Sequence, residues 1–152
     1  MEPIIVHPVA AANGDFQDIT DVLVMEWFEY KKVKFVRKST SGVPLLLQLS
    51  RGQTWHHGDL LFAGKRLMAK IQFKNSPVIS FSAKDWKTAT DFCYFIGNRH
   101  LPVFCTCADL CFQVPYDGNL YDALLVKFNG RIQLTEGLLQ QNNMLHLRLY
   151  TK

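Results

Sequence analysis

The side chains of this 152-residue sequence that suit metal chemistry are its five histidines and four cysteines. His100 closes a Gly-Asn-Arg-His turn at 97–100, just after a predicted helix, and imidazole is the commonest protein ligand for borderline metals. A lone histidine in a turn is more often a surface residue, and a single imidazole holds a metal weakly. A two-fold dimer changes this, because the same patch meets itself across the axis and presents His100 twice.

The four cysteines crowd into positions 93–111, a layout that favours thiols over a disulfide framework. Cys105 and Cys107 stand two apart on a predicted strand, so their thiols share one face and could form a soft metal site. Burial as small hydrophobes is the commoner use of such residues, and it suits Cys93 on the apolar face of a helix best. Cys111 would complete a three-thiol cluster if the hairpin brought it beside the pair.

The other histidines are weaker ligand candidates. Two adjacent imidazoles, at His56 and His57, cannot both reach one ion without help from the backbone, so a solvated loop is predicted there. His146 lies on the polar side of a predicted strand, where plain exposure is the expectation. The sequence shows no nucleophile with a placed base and no phosphate-cradling glycine loop, and it therefore gives an enzyme little support.

The elements that must position these residues fall into two groups. Frequent turn signals up to residue 73 predict a small all-β module with strands at 22–28, 32–38, 44–49, 60–62 and 66–73. The basic stretch 31–38 interleaves cationic and apolar residues. This pattern could mark a phosphate-facing strand, but the favoured interpretation is a half-buried strand whose cationic face is solvated.

After residue 75 turn signals are less frequent, and apolar residues take helical spacing in part of the sequence. Ser82 with Asp85 resembles a capping box, and Gly97 suits the left-handed end of the helix that they begin. Asp117 offers an N-cap to a second helix. The predicted elements are a strand at 78–81, a helix at 83–96, strands at 101–107 and 110–114, a helix at 120–129 and a strand at 144–150.

This order, βαββαβ, is that of the ferredoxin-like fold. We therefore predict an α+β chain, with an N-terminal β-domain at 1–74 and a C-terminal ferredoxin-like domain at 75–152. The composition, 48% hydrophobic and 20% charged, is that of a globular protein, and a net charge of +4 is too mild to indicate nucleic acid. The absence of a secretory pattern and of a bilayer-length apolar run predicts a cytoplasmic protein.

One segment carries a specific resemblance. The run CYFIGNRH at 93–100, followed by Leu101 and Pro102, closely resembles the signature of the urease accessory protein UreE family, the nickel metallochaperones. The Arg-Gly at 51–52, followed five residues later by Gly-Asp at 58–59, is similar to a segment of the family's N-terminal module. The likeness extends over roughly residues 20–130, in family order.

The resemblance implies a homodimer whose C-terminal domains meet around His100, which binds Ni(II) jointly with its symmetry mate, with Zn(II) as a second candidate metal. It implies a carrier that catalyses no reaction and hands nickel to the urease accessory GTPase and the urease apoprotein complex, without nucleic acid or membrane as partner. The sequence stops at Lys152 without the histidine-rich tail of many members, so nickel storage is not expected, and His146 is the candidate for a further ligand. The alternative is an assembly scaffold of the urease maturation complex in which metal binding is incidental.

Overall fold

The structure, a computed structural model, describes residues 1–11, 21–105 and 109–145. In these ranges the chain forms ten β-strands in two sheets, two α-helices and two short 3₁₀ helices, and the predicted α+β class is confirmed. The chain divides into two compact units, Met1–Lys74 and Asn75–Lys152. No helix within the described ranges is long and apolar enough to cross a membrane.

The first unit is a β-structure. Its strands are β1 (Ile4–Val9), β2 (Val22–Met25), β3 (Lys34–Lys38), β4 (Pro44–Gln48), β5 (Leu60–Ala63) and β6 (Arg66–Phe73). They are hydrogen-bonded in the order β2-β6-β5-β1-β4-β3. Alternate side chains point inward, and Val6, Leu45 and Leu47 are fully buried. Strand β1 was not predicted from the sequence, because Pro8 interrupts its apolar pattern.

The predicted strand at 22–28 is wrong in its second half, where a 3₁₀ helix, Trp27–Glu29, follows β2. The Glu29 carboxylate accepts the backbone N–H of Glu26 at 3.0 Å and two bonds of 2.6 Å from the Arg37 guanidinium. Charge-assisted, bidentate bonds of this kind are among the stronger hydrogen bonds in proteins. They outweigh the strand propensity of the two aromatic residues in this segment.

This ion pair makes the stability of the first unit depend on pH. Hydrogen bonds from Arg37 lower the pKa of Glu29 from its ordinary value of 4.5 to about 2, against the effect of burial. Because the folded pKa lies below the unfolded one, the stabilisation is complete above about pH 4.5 and is lost as the pH falls toward 2. We expect Glu29→Gln to cost about 1–2 kcal/mol of unfolding free energy at pH 7.

Urea unfolding at a series of pH values measures this difference. The gap between the wild-type protein and Glu29→Gln should narrow steadily below pH 4.5. Glu136→Gln, which removes an exposed carboxylate in the second unit, is the control and should stay within about 0.5 kcal/mol of the wild type. A gap that is the same at neutral and acid pH would show that the carboxylate charge is not the cause.

The second unit pairs one sheet with two helices. Its elements are β7 (Ser76–Ser82), α1 (Trp86–Gly97), β8 (Phe104–Cys105), β9 (Cys111–Pro115), α2 (Gly118–Lys127) and β10 (Ile132–Gly137). The strands are hydrogen-bonded in the order β10-β7-β9-β8, with every pairing antiparallel. Buried side chains of both helices and of β7 and β9 belong to one hydrophobic cluster, in which the Phe81 and Phe92 rings stack with centroids 4.2 Å apart.

The helix starts show how the local sequence fixes boundaries. Asp85 is the N-cap of α1, because its carboxylate accepts the N–H of Thr88 at 2.7 Å. The cap predicted at Ser82 is therefore wrong, and Ser82 is instead the last residue of β7. The cap predicted at Asp117 is confirmed, since its carboxylate accepts the N–H of Leu120 at 2.8 Å. Trp86, the first residue of α1, is 74% exposed.

Two strands of this sheet differ from the prediction. Of the strand predicted at 101–107, residues 101–103 are not in a strand, residues 106 and 107 lie outside the described ranges, and only β8 remains. The sequence indicated a last strand at 144–150, of which residues 146–150 lie outside the described ranges. One of the two strands that pair with β7 is β10, a segment for which no strand was predicted. Only Ile132 of β10 is buried, so the segment lacks the alternation by which half-buried strands are identified.

Candidate functional site

His100 lies three residues beyond Gly97, the last residue of helix α1, and has the left-handed backbone conformation, with φ 55°. Its N–H donates to the carbonyl of Gly97 at 2.9 Å, and the N–H of Leu101 donates to the carbonyl of Ile96 at 3.4 Å. These two bonds have the pattern of a Schellman capping motif, in which the left-handed residue is usually glycine. Gly97 remains in the helix, so the prediction that it takes the left-handed position is wrong.

The backbone at His100 carries a cost that a variant should reveal. A residue with a Cβ in the left-handed conformation costs about 1 kcal/mol more than glycine. We therefore expect His100→Gly to have an unfolding free energy about 1 kcal/mol higher than His100→Ala, measured by urea denaturation.

Asn98→Gly and Asn98→Ala are the control pair, which measures the effect of glycine on stability at a position without the left-handed conformation. Asn98 has φ −61°, in the right-handed region, and there glycine should be the less stable replacement than alanine. Equal stability of the two His100 variants would contradict the strained cap.

Arg99 connects the same turn to helix α1 through its side chain and its backbone. Its guanidinium carbon lies 3.8 Å from the centroid of the Phe95 ring, and the ammonium of Lys127 lies 4.8 Å from that centroid. Its backbone N–H donates to the carbonyl of Ile96 at 3.0 Å. Cation–π contacts of this kind contribute about 0.5–1 kcal/mol at exposed sites. The turn is thus held by its neighbours, and the side chain of His100 is exposed.

An open, mainly apolar groove of about 700 Å³ begins at His100. Its walls include Cys93 and Tyr94 from α1, Leu101 and Val103 from the following segment, and Leu145. Tyr94 is 73% exposed and Leu145 50% exposed. The N–H of Leu145 donates to the carbonyl of Val103 at 2.8 Å, which holds Leu145 against this wall. Exposed apolar side chains that lie close together in this way are typical of surfaces that contact another protein.

The two described cysteines of the predicted three-thiol cluster, Cys105 and Cys111, lie on different faces of the sheet. Strand pairing places Cys105 opposite Phe112, whose side chain is in the core cluster, so Cys111 points to the other face of the sheet. Cys111 instead donates to the carbonyl of Asp109 at 3.2 Å. Cys107 lies outside the described residues.

The remaining cysteine, Cys93, lines the groove in a half-buried position. Burial, and then the nearby Cys105, raise the pKa of its thiol. A raised pKa disfavours the thiolate, which is the form of cysteine that binds metals. The groove beside His100 therefore presents a neutral thiol in its wall.

The histidine pair in the first unit has a structural use. The Nδ1 atom of His57 accepts the N–H of Phe73 at 3.0 Å, and burial, followed by the charge of Lys70, lowers the pKa of His57. The buried carboxylate of Asp59 accepts the N–H of His56 at 2.8 Å. The predicted loop is present, and the His56 side chain is 41% exposed, but the loop is more ordered than a solvated one because both histidines take part in its hydrogen bonds. His146 lies outside the described residues.

The site thus consists of one exposed imidazole on an anchored turn beside an apolar groove. Among the described residues, no three His, Cys, Asp or Glu side chains are close enough together to hold a metal ion. Imidazole binds nickel, zinc, copper and iron, so the donor itself suits a borderline metal. A metal held at His100 would keep open coordination positions for ligands from outside this chain.

Sequence comparison gives three informative relatives. The chain is 30% identical over 105 residues to the urease accessory protein UreE of Actinobacillus pleuropneumoniae, over 68% of this chain and 55% of that protein. It is 31% identical over 106 residues to the Flavobacterium johnsoniae protein of the same name, over 66% of this chain and 64% of that protein. It is 26% identical over 148 residues to the Helicobacter acinonychis protein of that name, over 92% and 81%.

No protein-family model matches the chain, and the matched segment spans about half the length of the Actinobacillus relative, 55%. All of these relatives carry the name urease accessory protein. This chain belongs to the UreE family of urease accessory proteins.

Proposed function

We propose that the chain is a nickel metallochaperone, which binds Ni(II) through His100 at a homodimer interface and delivers it to the urease activation complex. The observation that carries the proposal is the placement of His100, whose exposed imidazole is held by a strained cap at the mouth of an apolar groove. Strained backbone of this kind is concentrated at functional sites, where the surrounding structure maintains it. The relatives' name, urease accessory protein, supports the destination of the metal.

The homodimer follows from the need for a second ligand. One imidazole holds a metal weakly, and an isologous interface around a two-fold axis supplies the same residue twice. The groove offers the surface for such a contact, since Tyr94, Leu101 and Leu145 are exposed and apolar on the side of His100. Two imidazoles with open positions also allow exchange with an acceptor, which a closed four-ligand cage would slow.

The finer assignments extend the same proposal. We assign partner contact to residues 1–74 and metal binding to a ferredoxin-like domain at 75–152, which the β10-β7-β9-β8 order supports. His146 is proposed as a further ligand, because in the sequence it directly follows Leu145, which lines the groove. Zn(II) is the expected competitor, since imidazole suits both metals. Cys105 and Cys107 remain predictions as soft ligands.

Delivery is tested by reconstitution at limiting nickel. The nickel-loaded protein is mixed with urease apoprotein and the accessory GTPase, and the rate of urease activation is measured. We expect His100→Ala to lower that rate roughly tenfold or more, because even the loss of a residue that only supports a metal ligand typically costs about 10–100-fold in metal affinity. Activation that depends on the protein but is indifferent to His100 would support the scaffold alternative and contradict the carrier.

A further inference from the structure

The outward face of strand β3 presents two cations around an apolar residue. Lys34, Val36 and Lys38 alternate with inward residues along the strand, and all three are exposed, with Val36 at 56%. Neither lysine makes an ion pair with another residue in the described ranges. Alternate residues of a strand are about 6.8 Å apart, so the three side chains form a straight column.

The apolar centre of this column continues across the sheet. Val36 pairs with Leu46 on β4, and Leu46 pairs with Ile5 on β1, so the three side chains form a row on the same outward face. Leu46 is half-buried and Ile5 is 51% exposed. Because neighbouring strands lie about 4.8 Å apart, the row forms an apolar strip about 10 Å wide. A purely solvated strand face would not need such a strip.

We infer that this basic-apolar patch, formed by Lys34, Val36, Lys38, Leu46 and Ile5, docks an acidic amphipathic helix of a partner protein. The width of the strip matches the 10–12 Å diameter of a helix. Side chains one turn apart on a helix are separated by about 5.4 Å along its axis. This distance is close to the spacing of about 6.8 Å between Lys34, Val36 and Lys38 along the strand. The helix therefore needs an apolar residue with one carboxylate a turn before it and another a turn after it. The carboxylates then pair with Lys34 and Lys38, and the apolar residue covers the strip.

The charge distribution favours a protein partner over a membrane. Binding to an anionic bilayer takes a cluster of about four to eight cations. Here the outward column holds two lysines, and the neighbouring Arg37 points inward to its pair with Glu29. A phosphate backbone would leave the apolar strip uncovered. The partner is thus recognised by carboxylates and apolar side chains together.

The test uses the full chain and synthetic peptides in calorimetric titrations. The probe is a helical peptide with glutamate, leucine and glutamate one turn apart on one face, and its comparison is a scrambled peptide of the same composition. We expect the patterned peptide to bind roughly tenfold more tightly than the scrambled one, and more weakly as salt is added. Equal binding of the two peptides, or no binding of either, would overturn the proposal.

Surface variants locate the contact. Lys34→Glu with Lys38→Glu, and separately Ile5→Thr with Val36→Thr, should each weaken peptide binding roughly tenfold, and threonine keeps the strand propensity. Lys65→Glu with Arg66→Glu makes the same change in net charge at exposed positions at the turn from β5 to β6 and should stay within about twofold. Loss of binding in this control, or binding to phosphatidylserine vesicles in preference to the peptide, contradicts the proposal. His100→Ala should bind the peptide normally, so this result is independent of the nickel site.

Discussion

Replacing His100 with alanine is expected to lower the affinity of the protein for Ni(II) by at least roughly a hundredfold. A dimer loses both imidazoles at once through this single substitution, because each protomer supplies one. Few other ligands are available, since the described residues contain no group of three metal-binding side chains. Isothermal titration with Ni(II) measures the effect.

His56→Ala is the matched control, because it removes another solvent-accessible imidazole without touching the groove. The side chain of His56 is 41% exposed and lies in the first unit. We expect this variant to bind Ni(II) within about twofold of the wild type. Should both variants bind as the wild type does, the ligand would have to be sought outside His100.

Introducing a charge into the groove is expected to separate the dimer. Tyr94 is 73% exposed in the single chain and lines the groove beside His100. In the proposed dimer, Tyr94→Asp would bury an unpaired carboxylate, which costs about 2–5 kcal/mol in interfaces. The dimer dissociation constant should rise at least roughly thirtyfold, and the affinity for Ni(II) should fall with it. Sedimentation equilibrium and nickel titration measure the two effects.

A charge elsewhere on the surface provides the comparison. Val126 lies on α2, is 87% exposed and does not line the groove. Val126→Asp should therefore leave both the dimer and the nickel affinity within about twofold. A Tyr94→Asp protein that stays dimeric and binds nickel normally would place the interface on another surface.

The parts of the fold that local sequence determines were predictable. Strand β6 has the predicted bounds, Arg66–Phe73, because alternation and turn signals mark it at both ends. Helix α2 begins at the predicted cap, because a carboxylate that accepts a nearby N–H is a local feature. Strand β10 was missed, since an edge strand with one buried residue is defined by its partner and not by its own pattern.

The candidate site was predictable only in part. The sequence predicted His100 as the candidate ligand. It also predicted Gly97 as the left-handed residue, because glycine prefers that conformation, but in the structure His100 has it. The groove was missed because Leu145 reaches it from a distant part of the chain. A signal for the exposed wall was present, since Tyr94 falls outside the helical stripe of the buried Phe92 and Ile96.

Native mass spectrometry of the nickel-loaded protein tests the central claim most directly, because it reports metal content and assembly together. The account predicts one Ni(II) per two chains, carried by the dimer and absent from His100→Ala at the same nickel concentration. A monomer that carries its own Ni(II), or a His100→Ala dimer that still carries one, would contradict a nickel site shared by two copies of His100.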